Sequence, residues 1–394
     1  MEISNPWILP DGIEEMLPED ARRLEAMRRL LLDTYESWGY DLILPPLVEF
    51  KASLLTGVGS DLDSQTLGMT DRLSGRTLGV RADISPQAAR MDAHTLEGNG
   101  PRRLCYCGTV LKALPDGPQR SRSPIQIGAE LFGVDDLQAD AEIIRVMLKT
   151  LQLAGVEDLT LDLGNVTIFT WVEKQVQHEL GSSESIVGLM QNKRLPELDA
   201  WVETSGLSAA TADLVRRLPR LAGDIGILSA ARELFVDAAP VLEALDQLEE
   251  LATSIATDFP QVRLFFDLGE LRGAHYHTGV VFAAYTTGYG SMLANGGRYN
   301  EVGRAFGKSR PATGFSSDLK TLLRTGNFQL AKKDLVLAPA VANRELEIMI
   351  TDLRGKGMRV LSEFESASTE YAREIGASHV LVEQNGKWRL EKLD

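Results

Sequence analysis

Between residues 262 and 300 the chain gathers Arg272, His275, Tyr276 and His277, followed by Asn295, Arg298 and Tyr299. Donors and aromatics at this density suit a small-molecule site, with ordinary sheet corners as the plainer reading. An apolar run, QVRLFF, enters Asp267 and Gly269, a second from Val280 to Phe282 leaves, and glycines follow at 288, 290, 296 and 297. Extended runs around polar, aromatic and glycine positions read as sheet with ligand-facing gaps. Strict alternation puts Tyr276 and His277 on opposite faces, so a bulge is required if both line one pocket.

Two further groups carry chemistry. In residues 122–133, Ile125, Ile127, Ala129 and Leu131 make one apolar face, and Gln126, Gly128 and Glu130 the other. The glycine leaves a gap between polar side chains roughly 13 Å apart, over which a small ligand fits. A merely exposed polar face is the competing reading. From Arg76 the pattern alternates again, placing Arg81 and Asp83 on a polar strand face just before Ser85-Pro86. That dipeptide opens a helix with Ser85 as N-cap and Pro86 at the first helical position.

Metal chemistry finds little support. His275 and His277 share a face but lack a third ligand at suitable spacing, and Cys105 and Cys107 lack a second pair. The thiols read as buried and reduced, while His94, His178 and His379 read as surface or packing residues. No cofactor is expected.

The elements that must position these groups are legible from periodicity. Leu24, Met27, Leu31, Tyr35 and Trp38 mark one face of a helix over residues 19–38, closed by Gly39. DLILPPLVEF follows as an extended run whose Pro45 and Pro46 belong at an edge or bend. Residues 102–112 and 122–133 read as two strands, residues 135–154 as a helix, and LDLGNVTIF as a strand. Residues 170–258 are helical in pattern, an insertion between sheet strands. From residue 334 a small α/β domain alternates strand and helix and ends in a hairpin around Asn385-Gly386. At 394 residues, two or three domains are expected.

Composition narrows the function classes. Hydrophobic content of 44% and charged content of 25% are those of a globular protein. The net charge of −15 argues against a broad phosphate-binding surface. The opening MEISNPWILPDG lacks a secretory pattern, and no apolar run reaches membrane-spanning length, so a cytoplasmic location is expected.

Five ordered segments carry a resemblance: RADISPQAAR, RLCYCGTVLKALPDGPQRSRSPIQIGAELFG, LRGAHYHTGVVF, ANGGRYNEV and PATGFSSDLKTLL. Together they resemble the catalytic core of histidyl-tRNA synthetases over most of residues 1–325. The resemblance implies an α+β fold: a class II aminoacyl-tRNA synthetase-like antiparallel sheet flanked by helices, carrying the helical insertion at about 170–258. The C-terminal α/β domain, 334–394, is shorter than an anticodon-binding domain. Dimerisation through the first helix and the proline-bearing strand is also implied.

By the same resemblance, Asp83 and Ser85 stand where the family grips the substrate ammonium, and Gln126 and Glu130 where it contacts the substrate and its imidazole. Arg272 matches an arginine near the carboxylate, and Tyr276 and Tyr299 match pocket aromatics. His277 replaces a tyrosine, and Asp83 is one carbon shorter than the usual glutamate. The residues agree in kind, since a zwitterion needs an acid for its ammonium and a cation or amide for its carboxylate. The nucleotide site departs from the family. Lys112 stands for a carboxylate- and phosphate-binding arginine, Leu114 for an adenine-contacting glutamate, and Thr321 for a γ-phosphate arginine, with Lys320 in place of an acid. Lysine does not reproduce the arginine fork. Each lost transition-state donor costs about 3–4 kcal/mol, so adenylation is not expected.

An amino-acid pocket kept beside a lost ATP site resembles the regulatory subunits of ATP phosphoribosyltransferase. That resemblance implies a non-catalytic partner of the short-form catalytic subunit, which opens histidine biosynthesis. It implies assembly as a hetero-octamer, activation of the enzyme, and feedback inhibition by histidine as allosteric ligand, with neither tRNA nor membrane as a partner. A divergent histidyl-tRNA synthetase, or another amino-acid ligase of this fold, is the alternative; a tRNA-binding module would need a basic surface.

Overall fold

Leu24, Met27, Leu31 and Tyr35 lie buried along one side of the first helix, Pro18–Ser37. The computed structural model describes residues 7–57, 60–115, 121–271, 276–331, 333–364 and 368–393. The chain divides into two units, Met1–Phe328 and Gln329–Asp394. Trp38, expected on the buried stripe, falls beyond the last helical turn and is 37% exposed. Gly39 follows in the left-handed region (φ +82°), which favours glycine.

The strands of the first unit are β1 (Asp41–Leu42), β2 (Val48–Phe50), β3 (Gly68–Thr70), β4 (Thr77–Val80), β5 (Arg102–Thr109), β6 (Ile125–Phe132), β7 (Leu159–Asn165), β8 (Ala222–Gly223), β9 (Arg263–Asp267), β10 (Val280–Thr286), β11 (Ala294–Arg298) and β12 (Ala312–Asp318). Nine form one sheet in the order β1-β5-β6-β12-β11-β10-β7-β9-β8. The run β5-β6-β12-β11-β10-β7 is antiparallel throughout, while β1 joins β5 and β9 joins β7 in parallel. The expected antiparallel sheet is therefore mixed at its margins. The helix Leu137–Leu153 packs Ile143, Ile144, Met147, Leu148 and Leu151 into the core shared with β6 and the first helix.

The proline-bearing run is not one strand. Neither Pro45 nor Pro46 has an N–H to give a ladder, and the chain changes sheets there. β1 closes an edge of the large sheet, and β2 joins a smaller sheet in the order β2-β4-β3. β4 also stops at Val80, short of the alternation read from sequence. Beyond it Arg81 bonds to separate segments: its N–H donates to Leu47 O at 3.0 Å, and its carbonyl accepts from Leu111 N at 2.9 Å. Arg81 and Asp83 thus lie on a connection into the helix Ser85–Arg90.

The insertion begins at Val166 and runs to Asp258, and it includes β8, which pairs Ala222 with Asp267. In the second unit, β13 (Leu335–Pro339) lies between parallel β14 (Arg359–Glu363) and β15 (His379–Gln384), and β16 (Lys387–Lys392) completes the sheet. β15 and β16 form the expected hairpin, with Asn385 and Gly386 at φ 53° and 73° as a type I′ turn requires. Among the described residues no helix is long and apolar enough to cross a membrane.

Candidate functional site

Register in the large sheet builds the site. Tyr106 on β5 faces Gly128 on β6, and Gly314 on β12 faces Glu130. The gap expected over Gly128 is filled. A Cβ there would stand 2.6 Å from the Tyr106 hydroxyl and 2.3 Å from Phe315 O. Tyr106 uses that space to donate to Glu130 Oε1 at 3.0 Å, with Ser85 Oγ also 3.0 Å from its hydroxyl. Tyr299 donates to Glu130 Oε2, so both carboxylate oxygens are held by phenols. Glu130 is 1% exposed. Burial pushes its carboxyl up to about 7, against the pull of hydrogen bonds from Tyr299, Ser85 and Tyr106; the nearby charge of Asp83 adds to the rise.

Tyr276 lies against Tyr299, ring centroids 5.2 Å apart and tilted 31°. Its hydroxyl is buried without a hydrogen-bond partner among the described residues. An unsatisfied buried hydroxyl costs about 1–3 kcal/mol. His277 meets Tyr276 edge-on at 5.4 Å, and its Nδ1 is 3.2 Å from Arg298 O. A carbonyl only accepts, so Nδ1 carries the proton. Burial depresses His277 to about 4, and the ring is neutral near neutral pH. Both residues precede β10, off the ladder. No bulge is needed to bring their rings together.

A second group stands beside the first. Asp83 Oδ1 accepts from Gln126 Nε2 at 2.7 Å and Ser85 N at 3.2 Å, while Gln126 Oε1 accepts from Ile84 N at 2.9 Å. Ser85 is not the N-cap: it is the first helical residue, and its hydroxyl turns to Tyr106. Asp83 and Gln126 also border a cleft of about 270 Å³, shared with Gln65, Lys112, Asn295 and Thr321.

The structure thus brings Asp83, Ser85, Gln126, Glu130, Tyr276 and Tyr299 into one network, with His277 behind Tyr276. Arg272 and His275 lie outside the described residues. Arg298 points away, its guanidinium bonded to Asp140, Asp135 and the carbonyls of Val134 and Asp136. Tyr106 was missed from sequence. Its signal was a bulky aromatic in one strand that could face a glycine in the next, legible once the register is known.

The cleft is poorly built for a triphosphate. Its described lining includes the ammonium of Lys112 but also the carboxylates of Asp83 and Asp318. Asp318 caps the helix Leu319–Thr325, accepting from Lys320 N and Thr321 N at 3.2 Å each, and Thr321 Oγ1 donates to it at 2.7 Å. Leu114 is 63% exposed. Elsewhere Asp162, Asp267 and Glu270 place carboxylate oxygens within 4.8 Å of one another, and Lys193 pairs with Asp267.

Comparison with known proteins agrees with this architecture. Residues 12–322 match the histidyl-tRNA synthetase family model, and residues 333–391 match the model for the ATP phosphoribosyltransferase subunit HisZ C-terminal domain. The ATP phosphoribosyltransferase regulatory subunit of Chromohalobacter salexigens is 46% identical over 394 residues, covering 100% of both chains. That of Thioalkalivibrio sulfidiphilus is 46% identical over 396 residues, again covering 100% of both. Among solved structures, an ATP phosphoribosyltransferase regulatory subunit/histidyl-tRNA synthetase from Bacillus halodurans C superposes with a TM-score of 0.82 at 24% identity, covering 96% of this chain and 99% of that one. Histidyl-tRNA synthetase from Nostoc gives 0.76 at 19%, covering 95% and 91%. These likenesses bear out the class II synthetase-like fold. With full-length relatives of one name and a matching C-terminal domain, the chain belongs to the family of ATP phosphoribosyltransferase regulatory subunits.

Proposed function

We propose that the chain is a non-catalytic regulatory subunit that partners the short-form catalytic subunit of ATP phosphoribosyltransferase at the first step of histidine biosynthesis. Free histidine is the ligand it reads. Asp83 and Ser85 take the ammonium, Gln126 the carboxylate side, and Glu130, Tyr276 and Tyr299 surround the imidazole, with His277 supporting Tyr276. One observation carries this reading: among the described residues the buried Tyr276 hydroxyl has no hydrogen-bond partner, and it lies within electrostatic reach of the buried carboxyl of Glu130. An imidazole has two nitrogens to offer such a pair. The cleft next to it carries Thr321 where a phosphate-binding arginine would be needed, and sets Asp83 and Asp318 beside Lys112.

The ligand would act by binding one conformation of the assembly better than another, a coupling of about 1–3 kcal/mol in typical systems. Self-dimerisation, a hetero-octamer with the catalytic subunit, and a cytoplasmic location belong to the same proposal. The test is to mix the chain with a short-form catalytic subunit and measure turnover with and without histidine. Activation by the chain and a histidine-dependent change support the reading. Histidine-dependent ATP–pyrophosphate exchange by the chain alone would overturn it.

A further inference from the structure

The segment that carries Asp83 and Ser85 is neither strand nor deep helix, so something must hold it in place. Arg81 is buried at 7% exposure two residues before the acid. Its Nε donates to Thr109 O at 3.0 Å, and one terminal nitrogen donates to Pro45 O at 2.7 Å. Its backbone is held on both sides, by Leu47 O and Leu111 N. Gln87 repeats the pattern from the far side of the acid, with Nε2 donating to Pro46 O at 2.8 Å and to Glu49 Oε1 at 2.7 Å. Residues 45, 46 and 47 therefore each give a carbonyl to the stretch from Arg81 to Gln87.

β5 makes room for this arrangement with a glycine. A Cβ at Gly108 would stand 2.3 Å from the other terminal nitrogen of Arg81. Such a fit leaves the guanidinium one seat. Lysine keeps the charge but not the fork, and one ammonium is a poor match for two separate carbonyls.

We infer that Arg81 is a positioning residue for the amino-acid pocket: its guanidinium fixes the connection after β4 so that Asp83 meets the ligand ammonium. This rests on the histidine pocket proposed above and adds a residue that does not itself touch the ligand. Asp83 is already aimed by Gln126 Nε2 and Ser85 N. Those bonds orient the carboxylate, while Arg81 fixes the backbone from which it projects.

The test is a double-variant cycle read by calorimetric titration with L-histidine. Arg81→Lys should weaken binding about tenfold, the scale of one lost hydrogen bond to a charged donor. In an Asp83→Asn background, where the ammonium contact is already lost, the same change should cost less than about twofold, because residues acting through one another are non-additive. Gly108→Ala, which displaces the guanidinium from the other side, should reproduce both results and replaces Arg81→Lys should that variant not fold. Equal losses in both backgrounds would make Arg81 a general structural residue and overturn the inference, as would no loss in either. Failure of the unsubstituted protein to bind histidine would sink the pocket reading itself, before any variant is made.

Discussion

The hydroxyl of Tyr299 donates to Glu130, whereas that of Tyr276, whose ring lies 5.2 Å from the ring of Tyr299, donates to nothing among the described residues. Two phenols side by side are thus satisfied differently. One is tied into the fold through Glu130, and the other is left free for the ligand proposed above.

The pair predicts opposite effects for the same deletion. Tyr276→Phe removes an unsatisfied buried hydroxyl, so the unliganded protein should be unchanged or up to about 2 kcal/mol more stable. Histidine affinity should fall about tenfold. Tyr299→Phe removes a bonded donor and leaves Glu130 with one phenol, which should cost about 1–2 kcal/mol of stability. Urea unfolding and calorimetric titration of both variants check this. Loss of stability in Tyr276→Phe would mean that its hydroxyl is already satisfied.

Glu130 and His277 make opposing contributions to pH dependence. Burial raises Glu130 from its ordinary 4.5 to about 7, so in that window the folded chain holds a proton that the unfolded chain has released. Its contribution to stability is present below about 4.5 and is lost as pH rises through 7. Burial lowers His277 from 6.5 to about 4, so its contribution is present above 6.5 and is lost as pH falls through 4. The two windows overlap and largely cancel. Relative to the unsubstituted protein, Glu130→Gln should gain stability as pH rises from about 4.5 to 7, by up to about 3 kcal/mol. His277→Gln should lose stability, relative to the same reference, over a similar range. Urea midpoints measured against pH test both slopes, and two flat differences would contradict the burial argument.

Local patterns were legible in the sequence because they need only near neighbours. The stripe Leu24, Met27, Leu31, Tyr35 and the hairpin at Asn385-Gly386 follow from helical period and turn chemistry. The polar face Gln126-Gly128-Glu130 was also legible, but its meaning was not. Whether Gly128 opens a gap or seats a neighbour depends on Tyr106, 22 positions away and adjacent only through the β5–β6 register. The end of β4 was hidden for the same reason. Arg81 continues the alternation but bonds to Leu47, Thr109 and Pro45, from two stretches far apart in the chain. The turn of Arg298 toward Asp140 likewise depends on a helix far off in sequence.

Gly314 gives a prediction that packing alone decides. It lies across from Glu130, and a Cβ on it would stand 1.5 Å from Glu130 Oε2. Gly314→Ala must therefore push the carboxylate out of its seat between Tyr106 and Tyr299. The expected cost is about 1–3 kcal/mol of stability from overpacking, together with loss of histidine binding. An alanine variant that binds histidine with unchanged affinity would remove Glu130 from the ligand's surroundings.

Lys320, which stands where the synthetase resemblance expects an acid, is almost fully buried, with Glu14 Oε1 at 3.5 Å and Ser123 Oγ at 3.4 Å. Glu14 also pairs with the half-exposed Arg324, a contact that solvent screens. The buried ammonium is the part that matters: Glu14→Ala would leave it without its counter-charge, at a cost of about 3 kcal/mol. Adding Lys320→Met to that variant removes the stranded charge while keeping most of the volume, and should recover most of the loss. Urea unfolding of the single and double variants measures the recovery. If Lys320→Met alone costs as much as Glu14→Ala, the pair is a net stabiliser. If the double variant regains stability and still responds to histidine, the ammonium serves the packing of residues near Glu14 against the helix Leu319–Thr325, and the lost acid at this position has been replaced by a structural contact.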